Sequence, residues 1–257
     1  MKKTILSLLL LTNITFSKHI VVEISVPKCG TNLLSTLLTR LLECKKTPNN
    51  STISSNYINK AKHHLHKHNT FLLTHDGYTK QKDLLLVSHD ARAIMIMRDP
   101  RDQLVSAAYY MKKNPQIKKF AKYHDMSIED IIHDLIEGNT PNPSITNIKM
   151  YYDRFLPWLD HSNVYITTFE KLVGPQGGGT IQEQLTEIMN IANHIGISIS
   201  EEKAKKIANH IFGKGGTFRK GQIGDWKNHF TQEHKERFKK IAGQLLIDLG
   251  YEKDFNW

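Results

Sequence analysis

Three short runs in this 257-residue chain gather cations, two of them beside glycines, and each is suited to holding an anion. The first is Pro27-Lys28-Cys29-Gly30-Thr31-Asn32, which lies between a strand-like run and a leucine-rich helical pattern. A turn so placed aims successive backbone N–H groups and the positive end of a helix dipole at one point, which suits a phosphate. Gly30 permits close backbone approach, and Lys28 stands at the mouth of the loop. An ATP-binding P-loop ends in Gly-Lys-Ser/Thr and sets the hydroxyl on magnesium; here the lysine precedes the glycine.

The second run, Arg98-Asp99-Pro100-Arg101-Asp102, follows the apolar stretch Ile94 to Met97 and leads to Val105-Ser106. Pro100 is placed to open a helix. Arg98 then sits at the carboxyl end of a strand and Ser106 on the helix after it, a pair that could clamp a second phosphate. The third run, Phe218 to Asn228, sets Arg219 and Lys220 beside Gly221 and Gly224, the composition of a loop that closes over an anion. One titratable residue completes the set. His75 follows the strand-like run Thr70 to Thr74, and a histidine near neutrality suits the removal of a proton from an acceptor hydroxyl.

The elements that must position these residues form an alternating pattern. Short β-branched runs at His19–Val26, Thr70–Thr74, Ala91–Met97 and Val164–Phe169 read as strands. Helical patterns cover Leu33–Leu42, Gln103–Lys113, Ser127–Glu137 and Ile145–Leu159, and another helix begins near Ile181. Such alternation predicts an α/β fold: one domain with a central parallel sheet flanked by helices. Ligands of such sheets bind outside the carboxyl ends of the strands, where Lys28, His75 and Arg98 all fall. His89 precedes a strand and is expected at the opposite edge. Gly177 to Gly179 reads as a flexible connection, and His63 to His68 as a solvated basic helix without a third ligand of metal-site spacing.

A formal net charge of +10 favours anionic ligands but cannot choose among them. Met1 to Ser17 carries Lys2 and Lys3, an apolar stretch from Ile5 to Leu11 and small residues at Thr15 and Ser17, the pattern of a secretory leader. Export is the expectation, with a frayed helix of a cytoplasmic protein the alternative, and residues 18–257 form the domain. The apolar stretch is too short for a membrane span, which needs roughly 20 residues. Cys29 and Cys44, roughly 20 Å apart along a helix at about 1.5 Å per residue, are not expected to pair.

The three runs together resemble the sulfotransferase family over nearly all of the chain after residue 17. That family's 5′-phosphosulfate loop, Pro-Lys-Ser-Gly-Thr-Thr-Trp, is similar to Pro27 to Leu33. Its 3′-phosphate motif, Arg-Asn/Asp-Pro-x-Asp-x-x-Val-Ser, is similar to Arg98 to Ser106, and its loop Arg-Lys-Gly-x-x-Gly-Asp-Trp-Lys to Arg219 to Lys227. The resemblance implies a P-loop-like fold and the donor 3′-phosphoadenosine 5′-phosphosulfate (PAPS), without a metal. Its phosphosulfate would rest on Lys28, Cys29, Gly30, Thr31 and Asn32. Its 3′-phosphate would rest on Arg98, Ser106, Arg219, Lys220 and Gly221. Phe169 replaces the family's nucleotide-contacting tyrosine, and Phe212 is the counterpart of its adenine-stacking aromatic. His75 keeps the histidine of the family's Lys-Thr-His and Leu73 replaces the lysine; the implied roles are general base for His75 and leaving-group stabilisation for Lys28. The acceptor is a hydroxyl or an amine that the sequence does not identify, and nucleic acid is not an expected partner. Two rival readings stay open: a kinase or nucleotide hydrolase using the same strand-loop-helix, and a non-catalytic basic module that binds sulfated or phosphorylated anions.

Overall fold

The computed structural model describes residues 19–44, 49–59, 70–138 and 145–257. The leader reading of Met1 to Ser17 and the reading of His63 to His68 fall outside the described residues.

Four strands form one parallel sheet: β1 (Val21–Ser25), β2 (Leu72–Thr74), β3 (Arg92–Met97) and β4 (Val164–Thr168), in the spatial order β2-β1-β3-β4. Helices cover both faces, so β1 is buried at every position, as expected of a strand in the middle of a parallel sheet. Val22 and Ile24 join one apolar cluster with Trp158, Tyr152 and Phe238. Val21 joins the other, with Leu34, Leu37, Leu38 and Ile188. The connection from β1 leaves toward β2 while β3 lies on the other side of β1. A crevice therefore opens above the carboxyl ends of β1 and β3, the point where ligands of open α/β sheets bind.

The expected elements hold with shifted ends, and the differences have physical causes. Helix α1 is Thr31–Leu41. The helix after β3, here α3, begins at Pro100 and runs to Lys113, with Asp99 as its cap. Val164–Phe169 was expected as a strand to its last residue, but Thr168 caps a short helix, α6 (Phe169–Val173), so the strand stops at Thr168. The helix expected over Ile145–Leu159 is two pieces, α5 (Ile148–Asp153) and a 3₁₀ turn at Leu156–Asp160, because Pro157 cannot donate to a continuing helix. Ser127 caps α4 (Ile128–Glu137), and Thr180 caps α7 (Ile181–His194).

Among the described residues, three helices besides α6 escaped the sequence reading: α2 (Lys80–Ser88), α8 (Glu201–Ile211) and α9 (Gln232–Asp248). Each starts at a hydroxyl cap, Thr79, Ser200 or Thr231, and in α8 the buried residues Ala204, Ile207, Ala208 and Ile211 mark one face. Gly177 to Gly179 is a correction. It is a tightly bonded turn in which Gly177 N–H and Gly179 N–H both donate to Gly174 O, at 3.1 and 2.9 Å. Gly177 O in turn accepts from Ile223 N–H at 2.9 Å, which ties the turn to the basic loop. Among the described residues no helix is long and apolar enough to cross a membrane.

Candidate active site

The turn between β1 and α1 is built to leave amides free. Cys29 N–H donates back to Val26 O, and the amides of Leu33 and Leu34 donate to Gly30 O. No side chain caps α1, so the N–H groups of Thr31 and Asn32, which lack partners within the helix, are left at the edge of the crevice that both residues line. Gly30 is required twice over. Its φ is +109°, and a Cβ there would meet Ile96 at 3.0 Å and Phe169 at 3.1 Å. Lys28 also holds a left-handed φ of 72°, a conformation that costs a non-glycine residue about 1 kcal/mol or more. Its ammonium lies 4.1 Å from the centre of the Tyr110 ring. Burial, with Arg219 and Arg98 nearby, lowers its pKa to about 8.

Arg98 projects from the end of β3. Its Nη2 donates to Gln222 O at 2.6 Å and to Asp102 at 3.3 Å, and its guanidinium lies 4.2 Å from the Phe169 ring centre. Asp102 draws in the basic loop by accepting from Gly224 N–H and Trp226 N–H, both at 2.8 Å. Arg219 and Lys220 are oriented by Asp225, at 2.6 and 3.1 Å. Burial alone would raise the Asp225 carboxyl, but the hydrogen bonds from Arg219 and Lys220 hold it well below its usual range. The Nε groups of Arg98 and Arg219 are both buried and without a hydrogen-bond partner.

His75 stands just past β2, and its Nδ1 is 2.7 Å from Ser25 O. A carbonyl can only accept, so Nδ1 carries the hydrogen and Nε2 keeps the lone pair. The loop after His75 is fixed to the segment 154–158. Tyr78 N–H donates to Arg154 O at 2.7 Å and the Trp158 indole to Asp76 O at 3.3 Å. Asp76 accepts from Ile53 N–H at 2.7 Å and pairs with Lys82 at 3.5 Å, which leaves His75 as the residue of that loop that reaches the crevice. His89 lies at the end of α2 before β3, at the amino edge of the sheet, where Leu85 O is 2.9 Å from its Nδ1.

One cavity of about 580 Å³ gathers these groups. Lys28, Gly30, Thr31, Asn32, His75, Arg98, Ser106, Phe169, Phe212, Arg219, Lys220 and Gly221 all line it. Cys29 is the exception. It is fully buried, its thiol lies 3.5 Å from Tyr152 Oη, and its amide is already bonded to Val26 O, so it offers the cavity nothing. Sequence reasoning missed Gln103 and Tyr110, which share a face of α3 with Ser106 and line the same cavity. Their spacing of three and four residues was the available signal. It also missed an apolar lobe lined by Met111, Ile117, Phe120, Leu135, Ile145 and Ile148. Among the described residues there is no cluster of three or more His, Cys, Asp or Glu side chains arranged for a metal.

The fold has counterparts. Mouse sulfotransferase SULT7A1, solved in complex with PAP (adenosine 3′,5′-bisphosphate), superposes with a TM-score of 0.65 over 91% of this chain and 86% of its own, at 17% identity. Retinol dehydratase, solved with androsterone and PAP, gives 0.61 over 92% and 83%, at 14% identity. At such identities the likeness is one of fold. Sulfotransferase 6B1 of Danio rerio is 27% identical over 180 residues, and sulfotransferase 2A1 of Homo sapiens is 28% identical over 191. The matched segments are 63% and 66% of this chain and 56% and 61% of those relatives, so the chain spans less than two thirds of their length. The sulfotransferase domain as a family matches residues 18–250. With that match running from just before β1 to the end of α9, the chain belongs to the sulfotransferase domain family.

Proposed function

We propose that the protein transfers a sulfuryl group from PAPS to a hydroxyl or amine of an acceptor. The observation that carries this reading is the pair of buried, unpartnered guanidinium N–H groups of Arg98 and Arg219, which share a cavity with the uncapped start of α1. One anion would not occupy two such places; a donor with phosphates at both ends would.

In this mechanism the acceptor oxygen or nitrogen bonds to sulfur as the bond from sulfur to the 5′-phosphate oxygen breaks. PAP departs with the electron pair, and the acceptor proton passes to His75 Nε2. The hydrogen bond from Nδ1 to Ser25 O keeps the imidazole in the tautomer that can accept it. Lys28 and the first amides of α1 stabilise charge on the leaving phosphate, the kind of positioned electrostatic help on which such transfers depend. The residues present fit a donor held without a metal: Asp102 and Asp225 are taken up by backbone amides and cations. The apolar lobe supports an acceptor that carries its hydroxyl or amine on an apolar body. Export through the leader Met1 to Ser17 belongs to the same proposal.

Equilibrium titration with PAP in the absence of magnesium tests the donor assignment. Tight binding without metal, and transfer of radiolabel from PAPS to an apolar alcohol or amine, are expected. A preference for ATP with magnesium would overturn the proposal in favour of a kinase, and PAP binding with no transfer to any acceptor in favour of a non-catalytic module.

A further inference from the structure

The turn that carries Arg98 is held by a side chain that does not itself line the cavity. Arg101, in the first turn of α3, is 2% exposed. Its Nε and Nη2 donate to the Asp99 carboxylate at 3.0 and 2.8 Å, and its Nη1 donates to Glu252 at 2.6 Å. Its guanidinium carbon lies 4.1 Å from the ring centre of Trp226 and 4.5 Å from that of Trp257. Those two indoles meet edge to face, with centres 5.6 Å apart.

A second route reaches the same turn. Tyr251 Oη donates to Glu170 at 3.3 Å, and the other oxygen of Glu170 accepts from Asp99 N–H at 3.0 Å. Residues 251–257 therefore grip Asp99 twice, through its carboxylate by way of Arg101 and through its amide by way of Glu170. Trp226 closes the circuit, because its N–H donates to Asp102, the residue that also accepts from Arg98. Burying a guanidinium with two carboxylates is a poor way to gain stability, since well-packed apolar side chains serve as well or better. What a planar fork adds is a fixed angle between its partners.

From this geometry we infer that Arg101 is a positioning residue for the donor's 3′-phosphate: it acts through Asp99 to set Arg98, and makes residues 251–257 part of the donor site's support. The inference rests on the PAPS reading above. Its test compares two ligands, PAP and adenosine 5′-phosphosulfate, which lacks the 3′-phosphate, in variants shown to be folded by circular dichroism. Arg101→Met should weaken PAP about tenfold, equivalent to about 1.4 kcal/mol, and leave adenosine 5′-phosphosulfate within about twofold. Arg101→Lys keeps the charge without the fork and should stay impaired. Trp257→Leu and Glu252→Gln should move the same ratio in the same direction by less, and they carry the test if Arg101→Met does not fold. Equal weakening of both ligands, no change in either, or full recovery with lysine would overturn the inference. Failure of the unaltered protein to bind PAP would overturn the donor reading instead.

Discussion

Lys28 offers the sharpest test of the phosphosulfate loop, because its charge should be lost in an accessible pH range. Its ordinary pKa of 10.5 is lowered to about 8 by burial, with Arg219 and Arg98 contributing. In the unliganded protein it is then roughly nine-tenths protonated at pH 7 and roughly one-tenth at pH 9. A bound 5′-phosphate restores the charge by direct attraction, so binding above pH 8 must take up a proton. The ligand contributes no slope of its own, since its phosphates finish titrating near a pKa of about 6. The sign follows. Affinity for PAP is full below pH 8 and declines as pH rises, by about tenfold between pH 7 and pH 9. Calorimetry in two buffers of different ionisation enthalpy at pH 9 should show uptake approaching one proton, and Lys28→Gln should show none. The same depressed pKa penalises folding of the free protein below pH 8, and the penalty fades as pH climbs toward the ordinary lysine value. Lys28→Gln should therefore raise the unfolding temperature at pH 7 even as it weakens PAP. An affinity that stays flat from pH 7 to 9, or an identical slope in the glutamine variant, would refute the assignment of Lys28 to the phosphate.

Three further outcomes are expected. His75→Ala should lower turnover by roughly 10² to 10⁴, the usual contribution of a positioned base, with PAP affinity nearly unchanged in the same preparation; retained turnover with any working acceptor would move the base elsewhere. Gly30→Ala forces a side chain into a left-handed turn already crowded by Ile96 and Phe169, so denaturant unfolding should show a loss of about 1 to 3 kcal/mol, and PAP binding should fall with it. Mass spectrometry of the protein expressed with its own N-terminus should find Lys18 first in the exported fraction, and an intact Met1 confined to the cytoplasm would end the export proposal.

The parts of the site that were legible in the sequence are those built from contiguous residues. A loop such as Pro27 to Asn32 or Arg98 to Ser106 carries its own geometry, because the strand before it and the helix after it are local consequences of apolar spacing and of Pro100. His75 was legible for the same reason, lying immediately after a strand. What could not be read were pairings across long stretches of chain. Nothing near Arg101 announces that Glu252 and Trp257 will meet it, and nothing near Gly177 announces that its carbonyl will hold Ile223. Cys29 illustrates the opposite case. Membership of a loop suggested contact with the ligand, yet a single residue of the turn rotates inward because Tyr152 and the core supply a better place for a thiol. The apolar lobe was missed because its walls come from α3, α4 and the segments around Ile117 and Ile145, which share no motif.

The inward turn of Cys29 has a chemical consequence beyond geometry. Burial pushes its thiol up to about 12, so almost none of it exists as the thiolate that oxidants and alkylating agents attack. A serine at the same place would have no such chemistry to suppress; a cysteine does, and here the core suppresses it by keeping the sulfur away from solvent. The loop Pro27 to Asn32 thus keeps an unpaired sulfur out of reach of oxidants, and a thiol-directed reagent applied to the folded protein should leave PAP binding intact.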